Sequence, residues 1–176
     1  MPIEHEAKIL GIDPEATERL ILKRGGQKLG EKSMRRNVYD IVPGDRSQWI
    51  RLRDTGKEIT LTVKQISNDG IDGTHELEVT VDDFSTTNAL LEVLGFTAKS
   101  YQENRRTSFI LDGAQLEIDA WPRIPPYLEI EARSKDEVIR VAGLLGYNET
   151  DLTGENTIKI YARYGIDLTA IPNLHF

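Results

Sequence analysis

Hydrophobic and polar positions alternate along most of the first half of this chain. In "IEHEAKIL" at 3–10, Ile3, His5, Ala7 and Ile9 share one parity; Glu4, Glu6, Lys8 and Leu10 share the other. Alternation of this kind predicts a strand with two unlike faces. Strand-like runs also occupy 31–41, 48–54, 58–66 and 74–82, and then 101–111, 114–120 and 127–133. Turn-forming residues separate them: "PGDR" at 43–46, "TG" at 55–56, "NDGIDG" at 68–73, "DGA" at 112–114 and "WPRIPP" at 121–126. Three stretches change to a helical period. The first, 13–26, has Asp13 as N-cap, Pro14 at the first helical position and glycines at its end. The second, 82–96, sets Leu90, Leu91 and Leu94 on one stripe before Gly95. The third, 134–147, opens with Ser134 and Glu137 at the spacing of a capping box. "TIKIYARY" at 157–164 fits a short helix or a strand. Helices and strands do not alternate regularly, so the prediction is an α+β domain over 1–176 with an antiparallel sheet.

Composition narrows the class. At 39% hydrophobic and 29% charged, the 176 residues are globular rather than disordered. No apolar run is long enough for a transmembrane helix and no signal peptide is visible, so the expectation is a soluble cytoplasmic protein without membrane partners. The chain has no cysteine, which removes disulfides, thiolate metal sites and cysteine nucleophiles. Its three histidines are scattered and form no metal cluster. A net charge of −7 disfavours a nucleic-acid partner.

The distribution of that charge matters more than its sum. Trp49, Arg51 and Arg53 share a parity opposite Ile50 and Leu52. Thr60, Thr62 and Lys64 oppose Leu61 and Val63. Glu76 and Glu78 oppose Leu77 and Val79; Glu117 and Asp119 oppose Leu116 and Ile118; Glu129 and Glu131 oppose Leu128 and Ile130. Arg105 and Arg106 are adjacent, so only one can face the same way as these rows. A single charged row is ordinarily a solvated face. A set of rows of acids or of bases is different. Carboxylates two apart on a strand lie about 7 Å from each other and repel unless a cation intervenes. If the strands close into a barrel, the rows line its interior as a ligand cavity. Paired carboxylates suit Mg²⁺ or Mn²⁺, and facing arginines and lysines suit a polyphosphate. No Walker loop is present, so side chains would hold the phosphates.

These residues resemble a known family. Glu4-x-Glu6-x-Lys8 is similar to the ExExK signature of the CYTH superfamily, the triphosphate tunnel metalloenzymes, which includes class IV adenylyl cyclases and thiamine, inorganic and RNA triphosphatases. The resemblance continues through Tyr39-Asp40, Arg51-x-Arg53, Lys64, Glu76-x-Glu78, Arg105-Arg106, Asp119 and Glu129-x-Glu131, with "WPRIPPYLEIE" especially similar. It implies a tunnel of eight antiparallel strands with flanking helices. It also implies metal-holding acids (Glu4, Glu6, Glu76, Glu78, Glu117, Asp119, Glu129 and Glu131) and triphosphate-binding bases (Lys8, Arg51, Arg53, Lys64, and Arg105 or Arg106). Lys8, Arg53 and Glu78 would carry catalysis. Where the family commonly has K-x-R, this chain reads "ENRRTSF", with Asn104 at the lysine position if Arg106 is the anchor.

Three functions follow as expectations. The first is metal-dependent hydrolysis of inorganic triphosphate, thiamine triphosphate or ATP. The second is cyclisation of ATP to cyclic AMP and pyrophosphate. The third is non-catalytic binding of polyphosphate or nucleotide. Trp49 either stacks the organic part of a substrate at the tunnel mouth or packs at a strand end. His5 and His75 read as packing or surface residues, and Tyr39-Asp40 as braces for the tunnel bases. Some relatives form homodimers, and that state stays open here.

Overall fold

The computed structural model describes residues 1–176. In chain order its elements are β1 (Ile3–Leu10), α1 (Pro14–Lys23), β2 (Gln27–Asp40), β3 (Gln48–Asp54), β4 (Ile59–Ile66), β5 (Thr74–Val81), α2 (Phe84–Val93), β6 (Ala98–Leu111), β7 (Ala114–Ala120), β8 (Tyr127–Ala132), α3 (Lys135–Leu144), α4 (Thr157–Arg163) and β9 (Asn173–Leu174). The sheet runs β2-β3-β4-β5-β1-β8-β7-β6, and β6 pairs back onto β2. That last ladder closes the eight-stranded antiparallel barrel. It joins the two 14-residue strands, both longer than the alternation predicts. The extra residues of β2 enter through a bulge at Gly30, whose φ of +143° suits glycine. The β6–β7 hairpin turns on Asp112 and Gly113, at φ +50° and +82°, the aspartate–glycine pairing that tight hairpins favour.

The alternation works in reverse of an ordinary small barrel. Apolar residues face outward, and those of β1, β3, β7 and β8 are mostly covered by helices, while Leu77 and Val79 of β5 stay exposed. Leu116, Leu128 and Ile130 are wholly buried under α3, whose Val138, Val141 and Ala142 meet them. Each such side chain stabilises the fold by about 1.5–3 kcal/mol. A second cluster joins Trp121 and Tyr127 to Ile160 and Tyr161 of α4, so the ambiguous tail is a helix. A third lies under α2 and holds Tyr39, Ile50, Leu52 and Leu91.

The helices start as their caps predict. Asp13 accepts from the Ala16 N–H at 2.7 Å with Pro14 following, and Ser134 accepts from the Glu137 N–H at 3.3 Å. The second half of the expected capping box differs. The Glu137 carboxylate accepts from the Arg133 N–H, not from Ser134, because the Arg133 side chain also reaches it at 2.8 Å.

Strand β1 meets β5 only at Ile3 and Glu4. Beyond that, its edge is sealed by loops: the Glu6 N–H donates to Ile71 O at 2.9 Å, and Lys8 and Thr153 exchange backbone bonds of 2.8 and 3.0 Å. Gly154 completes the seal against residues 69–70, where a Cβ would collide with the Gly70 carbonyl oxygen. Gly154→Ala is therefore expected to cost about 1–3 kcal/mol, read as a lower denaturation midpoint at unchanged m-value.

Candidate functional site

Closing the barrel brings the charged parity of every long strand into one cavity of 370 Å³. Glu4, Glu6 and Lys8 of β1 stand beside Glu129 and Glu131 of β8, because Glu6 pairs with Glu131 and Lys8 with Glu129. Arg51 and Arg53 of β3 face inward next to Lys64 of β4 and Glu76 and Glu78 of β5. Asp119 of β7 and Arg106 of β6 complete the ring.

Ion pairs divide the cavity into groups. Lys8 Nζ lies 2.9 Å from Glu6 and 3.2 Å from Glu129. Lys64 Nζ lies 2.8 Å from Glu4 and 2.6 Å from Glu76. Arg51 reaches Glu78 at 3.1 Å, and Thr62 Oγ1 donates to the same oxygen at 2.6 Å. Arg106 forks onto Asp119 at 2.7 and 2.6 Å and reaches Glu129 at 3.1 Å.

The titration of these groups follows from the geometry. Burial pushes the Glu4 carboxyl up to about 8; Lys64 opposes the shift, and Glu6 and Glu76 add to it. Burial likewise raises Glu131, reinforced by Glu129 and Glu6. Burial also opposes ionisation of Glu129, but Lys8 and Arg106 overcome it and hold that carboxyl well below the usual range. Burial opposes Glu78 too, and the Thr62 hydroxyl with Arg53 and Arg51 keeps it low. Arg53 is pulled down to about 10, chiefly by its neighbour Arg51.

One open choice closes and two expected placements change. Arg105 points outward, exposed, with its guanidinium 4.2 Å over the Phe176 ring, so Arg106 alone is the inward base. The pleat dictates this: neighbours on a strand face opposite ways. Glu117 faces inward but lies behind Arg106, which it contacts, and it accepts from Ser108 and Gln115 at 3.1 and 2.8 Å. It tethers Arg106 and does not line the cavity. Tyr39 packs outside under α2 and donates to Asn88 at 2.6 Å, so it braces no tunnel base, while Asp40 pairs with Lys99 at the mouth. Trp49 does line the cavity, at the start of β3 opposite Lys64. Two residues emerge that the charge rows did not mark. Arg36 of β2 faces the cavity, and Trp121 lines it instead of serving only as a turn residue. Arg36 sits in "SMRRN" between Met34 and Val38, and only the parity of the long β2 strand could have flagged it.

The domain model "CYTH domain" matches residues 2–143. This chain belongs to the CYTH family. Among solved structures, this CYTH chain is similar to a conserved hypothetical protein of Pyrococcus furiosus at 22% identity and TM-score 0.76, over 89% of this chain and 98% of that one. A candidate adenylate cyclase of Vibrio parahaemolyticus aligns at 14% identity and TM-score 0.75, over 91% and 98%. A Hippeastrum protein with a dominant triphosphatase activity aligns at 20% identity and TM-score 0.60, over 94% and 96%. At these identities the likeness establishes the shared tunnel fold. No curated protein matches the chain. No helix is long and apolar enough to cross a membrane.

The CYTH fold implies a divalent metal, and the donor set suits one. The acids are oxygen donors only, the choice of Mg²⁺ and Mn²⁺. Glu76 Oε2 is buried without a hydrogen-bond partner, although Lys64 lies close in a poor direction for one. Burial and the neighbouring carboxylates disfavour ionisation of Glu4, a cost that a dication beside it would offset. No three carboxylates converge on one point, because Lys8 and Lys64 stand between the acid pairs.

Proposed function

We propose that this protein hydrolyses triphosphates with the help of Mg²⁺ or Mn²⁺. The observation that carries the reading is a pair of buried guanidinium donors without acceptors: Nε of Arg51 and Nε of Arg53. Buried unpaired donors are costly, and two side by side on like-charged groups are prepared for an anion. Lys8, Lys64 and Arg106 add cations on the facing strands, so the site suits a chain of phosphates rather than one.

Glu4, Glu6, Glu76, Glu129 and Glu131 would hold the metal, which when bound neutralises charge on the phosphate oxygens. Lys8 and Arg106 bind bridging and terminal oxygens, and Arg51 and Arg53 stabilise the charge that develops on the transferred phosphoryl group. Glu78, ionised and open at the tunnel end, accepts a hydrogen bond from water and aims it. With its pKa held low it orients the water more than it deprotonates it. Trp49 at the mouth offers a ring face to an organic group on the substrate.

The test is product identification by ³¹P NMR with tripolyphosphate, ATP and thiamine triphosphate, each with EDTA, Mg²⁺ or Mn²⁺. The expected result is metal-dependent orthophosphate, with pyrophosphate as co-product from tripolyphosphate. Pyrophosphate with cyclic AMP from ATP would select the cyclase reading. Phosphate signals broadened by the protein in Mg²⁺, without turnover under either metal, would leave a binding module.

A further inference from the structure

Five bases on the tunnel strands have a carboxylate between 2.6 and 3.4 Å away: Lys8, Arg51, Arg53, Lys64 and Arg106. Arg36 has none. Its Nε donates to the neutral amide of Gln102 at 2.9 Å, and its guanidinium lies 4.3 Å over the Trp121 ring. Trp121 is held edge-on by Tyr161 of α4, and the Tyr161 hydroxyl donates to Pro122 O at 2.7 Å. The plane of the guanidinium is thus fixed by an amide and an aromatic platform, neither of which neutralises it. Both terminal nitrogens lack a protein acceptor, and the side chain lines the cavity.

Its setting is unfavourable without a ligand. Burial, reinforced by Arg51 and Arg53, pulls Arg36 down to about 9. The side chain is half-buried, so its terminal nitrogens stay open to the cavity while no carboxylate pairs them. An oriented, unpaired cation with a free donor edge is the arrangement that recognises a phosphate through two parallel hydrogen bonds.

We propose that Arg36 is a dedicated phosphate grip of the tunnel, binding oxygens of the polyphosphate through its terminal nitrogens. The other bases must exchange a carboxylate for the substrate. Arg36 gives up none, so its contact adds fully to binding. This rests on the triphosphate reading and adds a binding residue outside the charge rows.

The probe is inorganic tripolyphosphate. Calorimetry with Mn²⁺ in a Glu78→Gln background, which removes the water-orienting carboxylate and so separates binding from turnover, should show Arg36→Gln binding about 10- to 100-fold more weakly than its parent, with Arg36→Lys recovering only part. In a Trp49→Phe background Trp121 is the remaining tryptophan, and tripolyphosphate should change its fluorescence as the guanidinium shifts; Arg36→Gln should abolish that change. Ligand-free Arg36→Gln should melt near the wild-type Tm, since the half-buried charge it removes has no carboxylate partner. Parental affinity in Arg36→Gln would overturn the role of Arg36 and leave the triphosphate reading intact. A markedly lowered Tm would make Arg36 structural. A wild-type protein that fails to bind tripolyphosphate would overturn both.

Discussion

Lys8→Met is expected to lower triphosphate turnover by about 10²–10³-fold and to destabilise the free protein by about 3–5 kcal/mol. The two effects share one cause. Lys8 is 4% exposed between Glu6 and Glu129, each 12% exposed. Burial disfavours its charge, but the two carboxylates outweigh burial and raise its pKa. Methionine has a similar length and no charge, so it leaves two buried carboxylates facing each other. Replacing both partners is milder than removing one. Glu6→Gln combined with Lys8→Met should therefore recover much of the lost stability in a urea titration while turnover stays low. If Lys8→Met is as stable as wild type, Lys8 does not bracket these carboxylates, and its role reduces to contact with substrate.

The inner wall was legible because the strand period is two and the rows are long. Glu4, Glu6, Lys8, Arg51, Arg53, Lys64, Glu76, Glu78, Glu129 and Glu131 all reach the cavity the alternation predicts. The limits of β1, β3 and β7 also match. The ends of β2 and β6 do not, because these strands extend past their charged cores to form the closing ladder. Gly30 at the bulge breaks the alternation that would have marked the longer β2. Strand β9 was missed because its two residues pair with β6 only at Tyr101 and Gln102. No periodicity can show in so short a segment.

Parity assigns a face but not a neighbour, and there the site outran the sequence. Glu117 has the right parity, yet its depth behind Arg106 depends on Ser108 across the hairpin. Arg36 is a lone charge between Met34 and Val38 and forms no row. Its meaning comes from Gln102, Trp121 and Tyr161, which are distant in sequence. Trp121 read as part of a rigid proline turn because its burial depends on α4, the one element whose type the pattern left open.

Metal-free protein is expected to lose stability as pH rises from about 4.5 to about 8, by up to about 1.4 kcal/mol per pH unit for one group. Glu4 carries the argument. Its ordinary value is 4.5 and its folded value is about 8, so between them the folded state holds a proton that the unfolded state has released. Stability therefore falls with rising pH in that window and levels off above it. Glu6, Glu78 and Glu129 are shifted the other way. Their contribution is present above pH 4.5 and is lost as pH falls through their folded values. The metal-free protein should thus be most stable near pH 4.5–5. Glu4→Gln should make the decline toward pH 8 shallower, leaving the share that the raised Glu131 carries. Mg²⁺ or Mn²⁺ added at pH 8 should restore stability in wild type, because a dication takes the place of the proton. Thermal melts from pH 4 to 8.5, with EDTA and then with Mn²⁺, measure all of this. A flat or rising profile in EDTA would mean that Glu4 ionises as it does in water. The acids of β1, β5 and β8 would then be a solvated rim rather than the seat of a cation.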